Sequence, residues 1–197
     1  MEQSVGILAY GSLISNPLDE IGDATVETLK DVLTPFNVEF ARSSRGRRGA
    51  PTLIPVTVNG SPVLAHLFVV DADVGRAKDM LYRREINKVG EDLPYKHHEN
   101  PGVDDVVIKS IEELNGIDVV LYTQIARNIK ELTPSELARL AINSAHGPED
   151  RRDGITYLMD AKKYGIKTPL MDAYEEQIKK EMEVESLYEA LLKARHA

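Results

Sequence analysis

The segment Tyr10-Gly11-Ser12-Leu13 is the first part of the chain that could bind a reacting anion. Residues 5–10 are apolar or aromatic and predict a buried strand that stops at Gly11-Ser12. Such a turn exposes consecutive backbone N–H groups, and glycine lets a carboxylate or an oxyanion approach them closely. Ser12 is no hydrolase nucleophile, because Tyr10 and Ile14 stand where a nucleophile elbow needs glycines. From these residues alone, an ordinary strand-to-loop turn is the simpler interpretation.

Glu85 is the carboxylate whose position could do acid–base chemistry. It follows Leu81-Tyr82-Arg83-Arg84 at the end of a predicted helix and precedes a predicted loop. A carboxylate at such a place can point into a cleft and act as a general base. The alternative from the residues alone is a surface glutamate beside two arginines.

Two other polar clusters are weaker signals. Four arginines lie between residues 42 and 48, and they form either a carboxylate clamp or a solvated loop. The run His97-His98-Glu99 is a poor metal chelate, because neighbouring residues on an extended chain point to opposite sides. We therefore expect no metal site.

Composition excludes several classes of protein. The 197 residues carry a net charge of −8, which argues against nucleic-acid binding and against a polybasic membrane-surface protein. There is no cysteine, so disulfides, thiolate metal sites and cysteine nucleophiles are excluded. No apolar run reaches the roughly 20 residues needed to span a bilayer. The start Met1-Glu2-Gln3 lacks a signal-peptide pattern, and we expect a cytoplasmic protein.

The elements that would position these residues predict an α+β fold. Alternation marks residues 36–41 as a half-exposed strand, and Asn59-Gly60 and Asn115-Gly116 each indicate a two-residue hairpin turn. A helix is predicted over residues 71–84, with loops over 14–24 and 87–102. We expect a mixed or antiparallel sheet that curls toward a barrel.

The last third of the chain is predicted to be helical. Thr133-Pro134-Ser135-Glu136 is a capping box, and further helices are predicted over about 149–164 and 168–193. We divide the chain into a β-rich core, residues 1–132, and a helical extension, residues 133–197, packed on the same domain. A stripe of Leu187, Leu191 and Leu192 could dock on a second copy of the chain and make a homodimer.

Four segments, in order over residues 5–175, resemble the gamma-glutamylcyclotransferase superfamily. Tyr10-Gly11-Ser12-Leu13 resembles its Tyr-Gly-Ser signature, and the strand from Phe36 followed by residues 47–53 resembles its Phe…Arg-Gly-x-Pro…Leu segment. Leu81-Tyr82-Arg83-Arg84-Glu85 resembles the Leu-x-x-Arg-Glu stretch of the ChaC-type, glutathione-specific branch, and residues 154–166 resemble its C-terminal helical region. Gly90 and Tyr95 are separated where ChaC-type members have Gly-Tyr.

The resemblance implies that the chain cyclises the γ-glutamyl group of a small γ-glutamyl amine or peptide, glutathione among them, to 5-oxoproline. It implies no metal, no cofactor and no covalent intermediate. Glu85 would be the general base, and Tyr10, Gly11, Ser12 and Leu13 would hold the substrate. Arg48, with Arg47 as its alternative, Tyr95 and Tyr122 are further candidates for substrate binding. A non-catalytic protein of the same fold that binds a γ-glutamyl or amino-acid-like ligand is the alternative.

Overall fold

The computed structural model describes residues 3–196 and shows an α+β protein. The strands are β1 (Val5–Ala9), β2 (Thr25–Leu33), β3 (Asn37–Ser44), β4 (Ala50–Val56), β5 (Leu64–Val70), β6 (Val107–Leu114) and β7 (Ile117–Gln124). The helices are α1 (Ser12–Ser15), α2 (Leu18–Ala24), α3 (Val74–Glu85), α4 (Pro134–Ala145), α5 (Gly154–Lys163), α6 (Met171–Met182) and α7 (Leu187–His196). Residues 1, 2 and 197 lie outside the described residues. They include the two ends of the predicted division and the first two residues of the predicted chain start.

Packing divides the described chain into two compact units. The first unit contains residues 3–34 and 64–126, and the second contains residues 35–63 and 127–196. The predicted division at residue 133 does not coincide with these units, because β3 and β4 belong to the same unit as the C-terminal helices.

The first unit is built on a mixed five-stranded sheet in the order β2-β5-β1-β7-β6. β1 pairs with β7 in parallel, with Val5 opposite Val119, and the other pairs are antiparallel. Helix α3 packs against β1, β6 and β7. The α+β class and the mixed sheet are therefore confirmed. The sheet does not close into a barrel over residues 3–196, because it ends at the open edges β2 and β6.

The second unit combines the two-stranded sheet β3-β4 with helices α4 to α7. Its core includes Phe40, which contacts Tyr157 and Tyr174 edge-to-face, at centroid distances of 6.1 and 5.4 Å. Thr133 caps α4 by accepting a hydrogen bond from the N–H of Glu136, as predicted. The Glu136 carboxylate binds Arg139 rather than completing the capping box.

The two predicted hairpins have opposite outcomes. Asn115 and Gly116 adopt φ values of 53° and 81°, and they join β6 to β7 as predicted. The hairpin at Asn59-Gly60 is wrong, because β4 pairs with β3 whereas β5 pairs with β1 and β2. Asn59 has a φ of 59°, but Gly60 does not have a positive φ, so the turn lacks the second left-handed residue that a type I′ hairpin needs.

Several local predictions also need correction. The predicted loop over 14–24 contains part of α1 and all of α2, whose first turn carries Asp19 and Glu20 in favourable interaction with the helix dipole. The strand over 36–41 is buried on both faces rather than half-exposed. The single helix over 168–193 is two helices, because the chain turns at Glu183 with φ 51°. Strand β2 was not predicted.

The leucine stripe near the C-terminus is mostly used inside the second unit. Leu187 and Leu191 are buried, and α7 packs against α4, α5 and α6. Leu192 and Tyr188 are the large hydrophobic residues of α7 that stay exposed. Two of the three leucines proposed to contact a second copy are therefore already buried in their own unit. The homodimer stays a prediction. Over residues 3–196, no helix combines the length and the apolar character that crossing a membrane requires.

Candidate functional site

The turn after β1 has a backbone conformation that requires glycine. β1 ends at Ala9, and Gly11 adopts φ 76° and ψ −138° directly before α1 begins at Ser12. A side chain is strongly disfavoured at these angles. No described side chain caps the start of α1, so the N–H groups at this turn are not satisfied by a capping oxygen. The turn therefore presents a set of backbone donors at a strand end, which is the feature that could bind an anion.

Helix α3 carries Glu85 at its last position. Asp73 starts the helix, and its Oδ1 accepts a hydrogen bond of 2.9 Å from the N–H of Arg76. Ala77, Met80 and Leu81 are buried at helical spacing against the sheet. Glu85 follows Leu81 by four residues and so lies on the same face, at the last position of the helix, where its side chain is 23% exposed.

Arg84 joins Glu85 to the turn after β1. Its Nη1 donates to Glu85 Oε1 at 2.7 Å, and its Nη2 lies 3.3 Å from the Ser12 Oγ. Nε and Nη2 also donate to the carbonyl of Asn16, at 3.2 and 3.0 Å. The Arg84 side chain is only 12% exposed. The predicted base and the predicted substrate cradle are thus held together by one guanidinium group.

Strand β7 brings one further predicted residue, Tyr122, to the same end of the sheet. Because β1 and β7 are parallel neighbours, their C-terminal ends lie side by side. The Tyr10 hydroxyl donates to the carbonyl of Thr123 at 2.5 Å, which ties the start of the turn to β7. Tyr122 precedes Thr123 and is half-buried, and burial raises the pKa of its hydroxyl.

Tyr95 is fixed between α3 and the start of β6. Its N–H donates to Asp79 Oδ1 at 2.7 Å, and its hydroxyl accepts a hydrogen bond of 3.2 Å from the N–H of Ile108. Its ring contacts Tyr82 edge-to-face at 5.4 Å. Ile108 pairs with Thr123 in the β6–β7 ladder, so Tyr95 adjoins the strand end that carries the Tyr10 contact.

Arg48 belongs to the second unit and is engaged there. Its Nη1 donates to both Asp150 oxygens at 2.7 and 2.8 Å, and its Nε donates to the carbonyl of Ser144 at 2.9 Å. Arg47 lies over the ring of Tyr157 at 4.9 Å. The structure therefore gives both arginines partners in their own unit, and their roles in substrate binding stay predictions.

The histidine pair lines a cavity of about 260 Å³ in the first unit. Its lining includes His97, His98, Asp105, Lys109 and Gln124. His98 Nδ1 is 3.9 Å from Asp105 Oδ2. Within residues 3–196, no three His, Asp or Glu side chains are grouped so that they could hold a metal ion.

Sequence reasoning assigned no role to Arg84 or Thr123. Arg84 was visible only as a member of the Leu-x-x-Arg-Glu segment. Thr123 Oγ1 is buried and has no hydrogen-bond partner among the described residues, beside the carbonyl that Tyr10 uses. No local sequence signal marks it, because its position depends on the pairing of β7 with β1.

Replacing Gly11 by alanine is expected to damage the site more than the fold. The forced positive φ should cost about 1–3 kcal/mol of unfolding free energy and turn the N–H groups of Ser12 and Leu13 away from a ligand. Chemical denaturation would measure the first effect, and binding or turnover of γ-glutamyl compounds the second. The control is Gly116→Ala, which also places alanine at positive φ but lies in the β6–β7 turn. Equal functional loss in both variants would contradict the role of the Gly11 turn.

No protein-family model matches the chain, and a search of curated proteins gives no significant match.

Proposed function

We propose that the protein is a gamma-glutamylcyclotransferase that converts a small γ-glutamyl amine or peptide into 5-oxoproline and the free amine. The observation that supports this most is the Arg84 bridge between the Ser12 hydroxyl and the Glu85 carboxylate. Ser12 and Arg84 belong to two of the four segments that carry the resemblance. They are 72 residues apart along the chain, yet their side chains lie within hydrogen-bond distance. A carboxylate beside a backbone-donor turn is the arrangement that intramolecular aminolysis needs.

The reaction begins with a proton transfer. The α-ammonium group of the substrate must lose a proton before its nitrogen can attack, and the Glu85 carboxylate is the acceptor. The free amine attacks the γ-carbonyl carbon of the same molecule, and a C–N bond closes the five-membered ring. Glu85 returns the first proton to the leaving nitrogen, and the bond from the γ-carbonyl carbon to that nitrogen breaks. The ring nitrogen gives up its second proton, which Glu85 also passes to the leaving amine, so the products are the neutral lactam and the protonated amine. No water is consumed, and the proton balance closes on Glu85.

The turn at residues 11–13 would stabilise the charge that develops during the attack. The γ-carbonyl oxygen becomes negative in the tetrahedral intermediate, and backbone N–H groups preorganised at a strand end stabilise such an oxyanion. Holding the γ-glutamyl chain folded makes the attack intramolecular and lowers its entropic barrier. Tyr10, Tyr122 and Tyr95 lie around the same strand ends, where a hydroxyl can hydrogen-bond the substrate α-carboxylate.

Arg84 would act as a positioning residue for Glu85. It makes three hydrogen bonds to Ser12 and Asn16 and one to the carboxylate, so the carboxylate is held toward α1. The chemistry needs no metal or cofactor, and a γ-glutamyl substrate such as glutathione fits a cytoplasmic enzyme.

A non-catalytic binding protein is the second candidate, and the same salt bridge favours it. A carboxylate already paired with a guanidinium group is suited to hold an amino-acid-like ligand through its ammonium group without moving a proton.

A panel of γ-glutamyl compounds distinguishes the two candidates. The panel contains glutathione, γ-glutamyl-alanine and γ-glutamyl-polyamine conjugates, and each is assayed for 5-oxoproline release and for thermal stabilisation of the protein. The cyclotransferase predicts release from at least one member. Stabilisation without release would support the binding protein, and neither effect with any member would contradict both.

A further inference from the structure

The loop that follows Glu85 is held by an ion pair at its near end. Arg83 donates from Nε and Nη2 to Glu20 Oε2 at 2.9 and 2.5 Å, and from Nε to Oε1 at 3.1 Å. Each partner also bonds the loop backbone. Glu20 Oε1 accepts from the N–H of Gly90 at 2.6 Å, and Arg83 Nη1 donates to the carbonyl of Leu93 at 3.2 Å.

The Glu20–Arg83 ion pair is less exposed to solvent than the Lys88–Glu91 ion pair of the loop. The side chains of Arg83 and Glu20 are 14% and 21% exposed, whereas Lys88 and Glu91, 2.8 Å apart, are 48% and 54% exposed. Hydrogen bonds from Arg83 and from the Gly90 N–H lower the pKa of Glu20, although burial opposes them. Charge-assisted bonds shielded from water are stronger than solvated surface pairs. The Glu20–Arg83 pair is therefore the one that can restrain the loop.

Hydrogen bonds restrain the loop from Gly90 as far as Tyr95. Beyond Leu93, the chain is held again where the Tyr95 N–H donates to Asp79 and its hydroxyl accepts from Ile108. Residues 90–95 are thus fixed at both ends. They connect Glu85 to the strand end that carries the Tyr10 contact.

The two arginines at the end of α3 have different partners. Successive helix residues point about 100° apart. Arg84 accordingly binds α1 and Glu85, whereas Arg83 binds α2 and the loop. The end of α3 therefore holds the Ser12 turn through Arg84 and the loop after Glu85 through Arg83.

We propose that Glu20 and Arg83 form a clamp that holds residues 90–95 as one wall of the candidate site and thereby positions the γ-glutamyl substrate. The clamp itself is independent of the reaction, whereas the positioning role rests on the proposed function. Glu20 and Arg83 are positioning residues, since their contacts are to the loop and to each other.

The test compares Glu20→Gln, Arg83→Gln and the double variant with the control Lys88→Gln, which breaks the exposed ion pair and lies outside residues 90–95. Backbone amide exchange over residues 88–95 is measured in each folded protein, together with kcat and KM for 5-oxoproline release. We expect either clamp variant to speed exchange by about tenfold or more, since hydrogen bonds to a charged group are lost. KM should rise by a similar factor with a smaller change in kcat, and the double variant should be little worse than either single one. Lys88→Gln should behave as wild type.

Each outcome decides one part of the inference. Unchanged exchange in Glu20→Gln overturns the clamp, whether or not the wild type is active. Faster exchange with unchanged kcat and KM overturns the positioning role. Faster exchange in a protein whose wild type releases no 5-oxoproline contradicts the proposed function and supports the clamp.

Discussion

Glu85→Gln should abolish 5-oxoproline release while leaving the fold intact. Glutamine keeps the shape of the side chain but cannot accept the ammonium proton, and loss of a general base lowers rates by about 10²–10⁴-fold. The effect should fall on kcat, because the amide oxygen of the introduced glutamine can still accept the hydrogen bond from Arg84. The free energy of unfolding should change by no more than about 1 kcal/mol, as for a partly exposed ion pair.

The matched control is Glu136→Gln, which removes an ion-paired carboxylate from helix α4 in the second unit. It should leave kcat and KM unchanged. A Glu85→Gln variant that is folded and retains full activity would contradict the mechanism, and so would an equal loss in both variants.

Glu39→Ala should cause the largest loss of stability of any single change considered. Glu39 lies on β3 in the second unit and is fully buried. Its oxygens accept hydrogen bonds from the Thr168 hydroxyl at 2.6 Å, the Phe40 N–H at 2.8 Å and the Leu170 N–H at 3.0 Å. Truncation leaves the three donors without an acceptor and opens a cavity in the core. We therefore expect a loss of about 3 kcal/mol or more in unfolding free energy. Denaturant titration measures it.

Glu39→Gln is the control, because it keeps the volume and one acceptor oxygen. Burial raises the pKa of Glu39 above its ordinary value of 4.5, although its hydrogen bonds oppose the shift. Because the pKa of Glu39 is raised in the folded state, this group contributes its full stabilisation below pH 4.5. The stabilisation is lost as the pH rises through the pKa of the folded state. Wild type should therefore gain stability relative to Glu39→Gln as the pH falls from about 7 toward 4.5. A difference that stays constant or shrinks would contradict this account of Glu39.

The parts of the site that local patterns govern could be predicted from the sequence. The glycine turn after β1 is determined by residues that are close together in the sequence, and so is the helix that ends at Glu85. The Asn115-Gly116 hairpin is equally local, and it was predicted correctly. In each case the turn residues and the hydrophobic period favour the same structure.

The parts that depend on distant pairing could not be predicted. The identical Asn-Gly signal at residue 59 failed because β5 pairs with β1 and β2, which lie much earlier in the chain, instead of with β4. Glu39 alternates with apolar residues like an exposed strand position, but Thr168 and Leu170 cover it from 129 and 131 residues away. The role of Arg84 likewise depends on how α3 lies against α1.

The central claim is that Glu85 promotes attack by the substrate's own amine rather than by water. Incubating wild type and Glu85→Gln with the γ-glutamyl panel in ¹⁸O-labelled water, with product mass as the readout, tests it most directly. Wild type should release unlabelled 5-oxoproline and the free amine in equal amounts, and Glu85→Gln should release neither. Glutamate that carries ¹⁸O, equal release by the variant, or no product from any substrate would contradict the claim.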